Sequence, residues 1–360
     1  MNENIIRSDE RAIFALRSLY RQFGYARYKM SRFEEYDLYV RNKDFLVSDE
    51  VITFTDHTGR LLALKPDVTL SIIKNTVDQP GAVQKVYYNE NVYRVAKGTH
   101  SFKEIMQAGL ECIGDLGGYE IAEVVRLAAK SLALIGGDYV LDLSHMGLVS
   151  AMLQNLSDED RALALGYIHQ KSPHELAGLD LSAEELAKLT ALINCCGAPG
   201  EALAKLQPYL TGEAEKKAFA EFQSLCAILE KDVHVRVDFS VGNDLKYYSG
   251  VVFKGYLEGI PASVLSGGQY DKLLQKLGRK SGAIGFAVYL DLLEQREEAE
   301  YDVDTVLLHD ADADPAALVE AAERLSAEGT LLVAKVLPPQ AHPRRLLKFT
   351  ERGIEPVENG

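Results

Sequence analysis

The sequence predicts an α+β fold: an antiparallel sheet flanked by helices, interrupted by a helical insertion and followed by a small C-terminal α/β segment. Strand-like runs follow one another with few helices between them, which favours an antiparallel over a doubly wound sheet. From about residue 146 to 230 the hydrophobic pattern changes from that of strands to that of helices. After a charged linker, the last residues begin with a strand, helix, strand pattern. These three observations together define the fold class.

The N-terminal part contains a helix and four strands. Residues 8 to 24 form an amphipathic helix, which Ser8 or Asp9 begins and Gly24 ends. The runs VITFTD and LLALKP flank His57-Thr58-Gly59-Arg60 and predict a hairpin, and KVYYNENVYRV and EIMQAGLECIG predict two more strands joined by a loop. We therefore expect the sheet to begin as consecutive antiparallel strands.

The helical insertion separates these strands from the rest of the sheet. Its segments include DEDRALALGYIHQ, SAEELAKLTALINCCG and EAEKKAFAEFQSLCAILE, which Gly and Pro separate. Strands resume in HVRVDFSVG, GVVFKGYLEG, ASVLSGG and AIGFAVYLDLL. We expect one domain over residues 1–300, with a sheet that is discontinuous in sequence, and a separate segment over residues 301–360.

Composition limits the classes of partner. The formal net charge of −14 disfavours a polyanion such as tRNA, because nucleic-acid affinity depends on Lys and Arg that neutralise phosphates. No apolar run approaches the roughly 20 residues of a membrane span, and the N-terminus MNENIIRSDERA has no apolar signal core. We therefore expect a cytoplasmic protein that binds no membrane.

No metal or cofactor site is expected from the motifs. The four cysteines, Cys112, Cys195, Cys196 and Cys226, lack paired metal-ligand spacing and are interpreted as reduced structural thiols. His100 and His145 have no clustered ligands, and the sequence has no Walker-type phosphate loop.

Five segments occur in an order that resembles the catalytic domain of histidyl-tRNA synthetases. They are VITFTDHTGRLLALKPDVTLSIIK, YRVAKGTHSFKEIMQAGLECIG, DLKYYSGVVF, SGGQYDKLLQKLG and GAIGFAVYLDLL. The resemblance covers roughly residues 8 to 295, and the ordered combination is specific although each segment alone is weak. It implies class II aminoacyl-tRNA synthetase architecture, which agrees with the fold class predicted above.

The residues that hold histidine in that family are largely present. KPDVT resembles the family's Arg-Pro-Glu-Gly-Thr, in which the acid and the threonine bind the α-ammonium, and strand alternation places Gln107 and Glu111 on one face. Outside this framework, two such side chains would more often be solvated. The resemblance implies a histidine pocket formed by Asp67, Thr69, Gln107, Glu111, Tyr247, Tyr248, Gly267 and Gly268.

The residues that hold ATP are largely replaced. Arg94 remains from the second motif as a vestige of that site. In the histidine-specific strand, Lys246 stands where the family has an aspartate, which reverses the local charge. The catalytic positions that the resemblance implies to be lost are Ala96, Ile105, Asn243 and Leu292. Loss of fixed guanidinium groups weakens phosphoryl chemistry directly, because that chemistry depends on positioned positive charge.

A histidine pocket without an activating site resembles a second family, the regulatory subunits of short-form ATP phosphoribosyltransferases. That resemblance implies a non-catalytic protein for the first step of histidine biosynthesis, with feedback by L-histidine, a small catalytic subunit as partner and a homodimer within a larger hetero-oligomer. The residues after Glu300 number about 60, fewer than the roughly 100 of a typical domain, so a complete anticodon-binding module is not expected.

Three alternatives remain open from the sequence. The chain could be a divergent, active histidyl-tRNA synthetase, or a synthetase paralogue that acts on another amino acid or on a protein. It could also be a stand-alone histidine sensor. Histidine could act in the synthetase-like pocket or at a subunit boundary.

Overall fold

The chain divides into two compact units, Met1–Arg296 and Glu297–Gly360. The computed structural model describes residues 8–43, 51–95, 99–229, 234–242, 245, 247–293, 301, 303–350 and 352–357. Within these residues no helix is both long and apolar enough to cross a membrane.

The α-helices of the described residues are α1 (Ser8–Gln22), α2 (Tyr36–Val40), α3 (Thr69–Lys74), α4 (Gly118–Ile135), α5 (Met146–Met152), α6 (Asp158–Gln170), α7 (Ala183–Ile193), α8 (Pro199–Leu206), α9 (Glu213–Leu229), α10 (Asp271–Lys276) and α11 (Pro315–Ser326). The strands are β1 (Ala26–Arg27), β2 (Phe33–Glu35), β3 (Thr53–Thr55), β4 (Leu61–Leu64), β5 (Val83–Val95), β6 (Phe102–Gly114), β7 (Tyr139–His145), β8 (Cys196–Gly197), β9 (Val235–Asp238), β10 (Val251–Leu257), β11 (Leu265–Gln269), β12 (Gly282–Tyr289), β13 (Val303–His309), β14 (Leu331–Ala334), β15 (Pro343–Thr350) and β16 (Gly353–Pro356).

The main sheet of the first unit has nine strands in the order β1-β5-β6-β12-β11-β10-β7-β9-β8. Its central strands are antiparallel, as expected, but β1 runs parallel to β5 and β7 runs parallel to β9. The sheet is therefore mixed rather than wholly antiparallel. Parallel neighbours need a long crossover, and the helices between β7 and β9 supply one.

The strand pairs expected in the N-terminal part are present. The hairpin forms from β3 and β4, which join β2 in a small separate sheet, and β5 pairs with β6 along their full lengths. Helix α1 ends at Gln22, two residues before Gly24.

Alternation along the central strands gives the main sheet two distinct faces. On β10, Phe253 is fully buried in the main core together with residues of α1, α4 and the helical insertion. The preceding residue, Val252, belongs to a separate cluster with Met146 and Val241. The face that carries Val252 is the one on which the candidate site lies.

The helical insertion comprises α5 to α9 and shares the main core with the sheet. Cys195 and Cys226 are buried there, and all four cysteines are free thiols.

The second unit is a four-stranded sheet in the order β14-β13-β15-β16, with α11 packed on it through Ala321 and Leu325. The strand, helix, strand pattern corresponds to β13, α11 and β14. Strands β15 and β16 complete the sheet and were not expected from the sequence. In β15 the cationic pair Arg344-Arg345 interrupts the apolar alternation that usually marks a strand.

Candidate functional site

A cavity of about 410 Å³ lies on the open face of the main sheet and contains every residue of the implied histidine pocket. Its lining includes Asp67, Thr69, Gln107, Glu111, Tyr247, Tyr248, Gly267 and Gly268, and also Arg94. Strands β6, β12, β11 and β10 form the floor, so residues as distant in the sequence as Asp67 and Tyr289 meet there.

Glu111 lies at one end of the cavity and is almost fully buried, with 2% of its surface exposed. Its Oε1 accepts a hydrogen bond from Thr69 Oγ1 at 2.9 Å, and its Oε2 accepts one from the Tyr270 hydroxyl. Burial raises the pKa of Tyr270 well above its ordinary value, so this phenol remains a donor. The carboxylate is therefore held in one orientation by two neutral donors.

Two glycines allow the cavity floor to approach its side chains closely. A Cβ atom on Gly285 would lie 1.8 Å from Glu111 Oε2, and one on Gly268 would lie 2.7 Å from the Tyr248 ring. Any side chain at either position would displace the acid or the tyrosine. Only glycine leaves both groups available to a ligand.

Burial raises the pKa of Glu111 from 4.5 to about 8, and the nearby charge of Asp67 adds to this rise. The hydrogen bonds from Tyr270 and Thr69 oppose it, because both stabilise the ionised form. In the unliganded protein the pKa of the Glu111 carboxyl group is therefore close to neutral pH. A ligand that donates a hydrogen bond or brings positive charge there favours the carboxylate.

This buried acid makes the stability of the unliganded protein depend on pH. Because its pKa is raised in the folded chain, Glu111 contributes stability below about pH 4.5 and loses it as the pH rises through about 8. The full loss is about 5 kcal/mol. We expect Glu111→Gln to remove this loss when urea unfolding is compared between about pH 5 and about pH 9. Parallel pH profiles of the two proteins would contradict the expectation.

A second buried group, His145, makes stability change with pH in the opposite direction to Glu111. Burial lowers the pKa of His145 from 6.5 to about 4. Its contribution is therefore lost as the pH falls below about 6.5, in wild type and variant alike. This loss cancels in the difference between the two proteins.

Asp67, Thr69 and Gln107 line the cavity next to Glu111, since Thr69 donates to Glu111 and Gln107 shares its face of β6. Asp67 Oδ1 accepts from the Leu70 backbone N–H at 2.8 Å at the start of α3. Burial raises the pKa of Asp67, and the charge of Arg94 opposes that rise. A carboxylate, a hydroxyl and the nearly buried amide of Gln107 are a suitable set of partners for an ammonium group.

Aromatic rings form the remaining wall at this end. Tyr247 packs edge-on against Tyr248 with ring centroids 4.7 Å apart, and its ring lies 5.8 Å from that of Tyr270. Burial raises the pKa of Tyr247 well above its ordinary value. A planar, partly apolar ligand fits between such rings.

Two positions that the resemblance implied as lost from the ATP site have apolar side chains packed into the protein. Ile105 packs against the cluster around Tyr39 and Val92, and Leu292 packs against the main core. Arg94 lines the cavity and donates from Nε to the Pro66 carbonyl at 3.1 Å. Ala96, Asn243 and Lys246 lie outside the described residues.

Leu292 belongs to the segment Tyr289-Leu290-Asp291-Leu292, which resembles the family's third motif, Gly-Leu-Glu-Arg, and other residues of this third motif also have structural partners. Asp291 Oδ1 accepts from the Met106 backbone N–H at 2.8 Å, and thereby ties the chain after β12 to strand β6. Tyr289 stands where the family has the glycine of Gly-Leu-Glu-Arg, and its hydroxyl is 2.7 Å from Ser266 Oγ. Its side chain therefore lines the cavity at a position where the family has no side chain.

Sequence reasoning missed several lining residues, namely Tyr88, Lys254, Ser266, Tyr270 and Tyr289. Tyr270 and Tyr289 stand inside motifs that were recognised, so a signal for them existed. Lys254 is two residues beyond Val252 on β10. This spacing predicts that the two side chains share a face of the sheet, but it does not identify a cavity there.

Comparison with known proteins identifies the family to which this chain belongs. A profile described as histidyl-tRNA synthetase matches residues 3–293. An ATP phosphoribosyltransferase regulatory subunit of Symbiobacterium thermophilum is 31% identical, over 78% of this chain and 75% of the relative.

Solved structures share the fold. One described as an ATP phosphoribosyltransferase regulatory subunit/histidyl-tRNA synthetase, from Bacillus halodurans, has a TM-score of 0.72 at 23% identity and covers 95% of this chain and 93% of that one. A chain of the ATP phosphoribosyl transferase (HisG:HisZ) complex from Thermotoga maritima has a TM-score of 0.62 at 18% identity, with 77% of this chain and 96% of that chain covered. The class II synthetase-like fold predicted from the sequence is thus confirmed. The chain belongs to the histidyl-tRNA synthetase family and, within it, to the group of ATP phosphoribosyltransferase regulatory subunits.

Proposed function

We propose that this chain binds L-histidine in the cavity around Glu111 and transmits feedback inhibition to the catalytic subunit of a short-form ATP phosphoribosyltransferase, at the first step of histidine biosynthesis. It acts in the cytoplasm as a homodimer within a larger hetero-oligomer. It is not itself catalytic and uses neither tRNA nor a cofactor.

The buried Glu111 carries the proposal for histidine. An imidazole offers a ring N–H donor and titrates near neutral pH, which suits a carboxyl group whose pKa is about 8. Asp67, Thr69 and Gln107 supply acceptors for the α-ammonium of the same ligand. A side chain without an N–H donor would leave the buried acid without this compensation.

Side chains at the nucleotide positions support a role without amino-acid activation. Ile105 and Leu292 contribute neither charge nor hydrogen bonds, and both are engaged in packing. Tyr289 adds bulk where the synthetases have a glycine. Replacement of the arginines that the synthetases have at positions 243 and 292 removes positive charge that would stabilise the transition state when a carboxylate attacks the α-phosphate of ATP.

The partner is proposed from the family and from the Thermotoga maritima HisG:HisZ complex. Histidine can regulate such an assembly only if it binds two states of it with different affinities. A coupling of about 1–3 kcal/mol, or roughly 5- to 150-fold in affinity, is typical of such regulation.

Calorimetry tests the proposal directly. Histidine is titrated into the full chain alone and then into the chain with its candidate catalytic subunit. We expect binding in both cases, with affinities that differ at least about fivefold. Equal affinities would reject regulation through this site, and no binding in either case would reject the histidine pocket.

Pyrophosphate exchange separates the proposal from an active synthetase. With histidine and ATP, we expect no histidine-dependent exchange above the level without enzyme, because the cations needed for activation are replaced. Exchange at an ordinary synthetase rate would overturn the regulatory role. A thermal-shift panel of amino acids addresses a paralogue with another ligand, since the true ligand stabilises the folded chain.

A further inference from the structure

Lys254 faces the same cavity from the side opposite Glu111. In the sheet register, Glu111 pairs with Gly285, Gly285 with Gly268, and Gly268 with Val252. Paired residues of antiparallel strands share a face, and so does Lys254, which is two positions beyond Val252. The two charged groups are separated by three strand spacings, roughly 14 Å between their strands, with glycines on the floor between them.

The ammonium group of Lys254 has no carboxylate partner within the described part of the chain. Its register partner on β7, Asp142, is held by Arg236 through two hydrogen bonds of 2.9 and 3.1 Å. Lys254 is half-buried, and burial lowers its pKa. A partly dehydrated cation without a partner gains more from an anion than an exposed lysine does.

Two hydroxyl groups lie on the same side of the cavity. Ser266 pairs with Lys254 across β10 and β11, and its Oγ is 2.7 Å from the Tyr289 hydroxyl. Tyr289 in turn pairs with Gln107 of β6. These hydroxyls therefore connect the Lys254 side of the cavity to the side that holds the proposed ammonium contacts.

We propose that Lys254, assisted by Ser266 and Tyr289, binds the α-carboxylate of the amino-acid ligand and makes the site selective for the free amino acid. This inference rests on the proposed histidine site. The ligand carries three polar groups, and the acids of the cavity account for only its imidazole and its ammonium. The arginine that synthetases have at position 243 is an asparagine in this sequence. Arg94 already bonds the Pro66 carbonyl and offsets Asp67.

The proposal is tested by measuring the affinities for histidine and histidinol in the wild-type chain and in two variants of Lys254. Histidinol keeps the imidazole and the ammonium of histidine but lacks the carboxylate. We expect the wild-type chain to bind histidine about 10- to 100-fold more tightly than histidinol, as hydrogen bonds to charged groups predict. In Lys254→Met this preference should fall to within about threefold, with histidinol affinity unchanged, whereas Lys254→Arg should retain most of it.

The controls distinguish a failure of the role of Lys254 from a failure of the histidine site. Lys130→Met removes a lysine of α4 that does not line this cavity, and it should leave both affinities unchanged. Thermal unfolding of Lys254→Met establishes that the variant is folded. An equal loss of histidine and histidinol affinity, or an unchanged preference, would overturn the role of Lys254. Failure of the wild-type chain to bind either ligand would instead reject the histidine site itself.

Discussion

Glu111→Gln is expected to weaken histidine binding by about 10- to 100-fold, as is typical when a hydrogen bond to a charged group is lost. Glutamine keeps the shape of the side chain but not the charge. Its amide NH2 group must also face either Thr69 Oγ1 or the Tyr270 hydroxyl, both of which donate to Glu111 in the native chain. The variant is therefore impaired as an acceptor for the ligand and in its own anchoring. Calorimetry with histidine at neutral pH measures the effect.

Glu104→Gln is a matched control on the same strand. Glu104 is exposed on β6 and accepts hydrogen bonds from Asn91 and Tyr93, away from the cavity lining. Histidine affinity should stay within about twofold of wild type, because surface charges contribute little. If folded Glu111→Gln bound histidine as tightly as this control, the assignment of the imidazole contact would be wrong.

Glu215→Ala is expected to lower the free energy of unfolding of the helical insertion by about 3–5 kcal/mol, since it leaves a buried cation without its partner. Glu215 Oε1 accepts from Lys188 Nζ at 2.7 Å, and both side chains are buried. Its Oε2 accepts from the backbone N–H groups of Thr211 and Gly212, at 2.9 and 3.0 Å, at the start of α9. One carboxylate therefore joins α7, the turn before α9 and α9 itself. Urea unfolding and hydrogen exchange in α7 and α9 measure the loss.

Two further variants test whether the buried pair of Glu215 and Lys188 causes this loss of stability. Glu213→Ala removes an exposed acid that pairs with exposed Lys216 in the same helical turn, and should cost less than about 0.5 kcal/mol. Adding Lys188→Met to Glu215→Ala should recover part of the stability, because it removes the unpaired charge. If Glu215→Ala and Glu213→Ala were equally mild, the buried pair would not stabilise the insertion.

Local sequence patterns were sufficient for much of the site. Strand alternation and turn residues located β5 and β6, and the same alternation placed Gln107 and Glu111 on one face, where the structure has them. The ordered motifs then indicated which distant segments contribute to the pocket. Such patterns work because each depends on residues that are close in the chain or on a recognisable motif.

Strand order and pairing direction depend on contacts between distant segments, which periodicity does not encode. The parallel pairing of β7 with β9 spans the whole helical insertion, and strand β1 has only two residues, Ala26 and Arg27. Lys254 could be assigned to a face of β10, but its approach to the cavity follows from the neighbours that the sheet order gives that strand. Buried Lys188 also departs from the usual exposure of lysine, because its partner Glu215 lies on another helix.

The packing of the third motif makes the loss of synthetase chemistry difficult to reverse in evolution. Restoring arginine at Leu292 would insert a guanidinium group into packing with the main core before any nucleotide contact was regained. Lengthening Asp291 to the family's glutamate would shift the acceptor of the Met106 N–H of strand β6, and replacing Tyr289 with glycine would open a gap beside Ser266. Each synthetase residue would thus disturb an existing contact before it contributed to activity. A return to synthetase chemistry would therefore require several of these changes together, although the fold is still that of the enzyme.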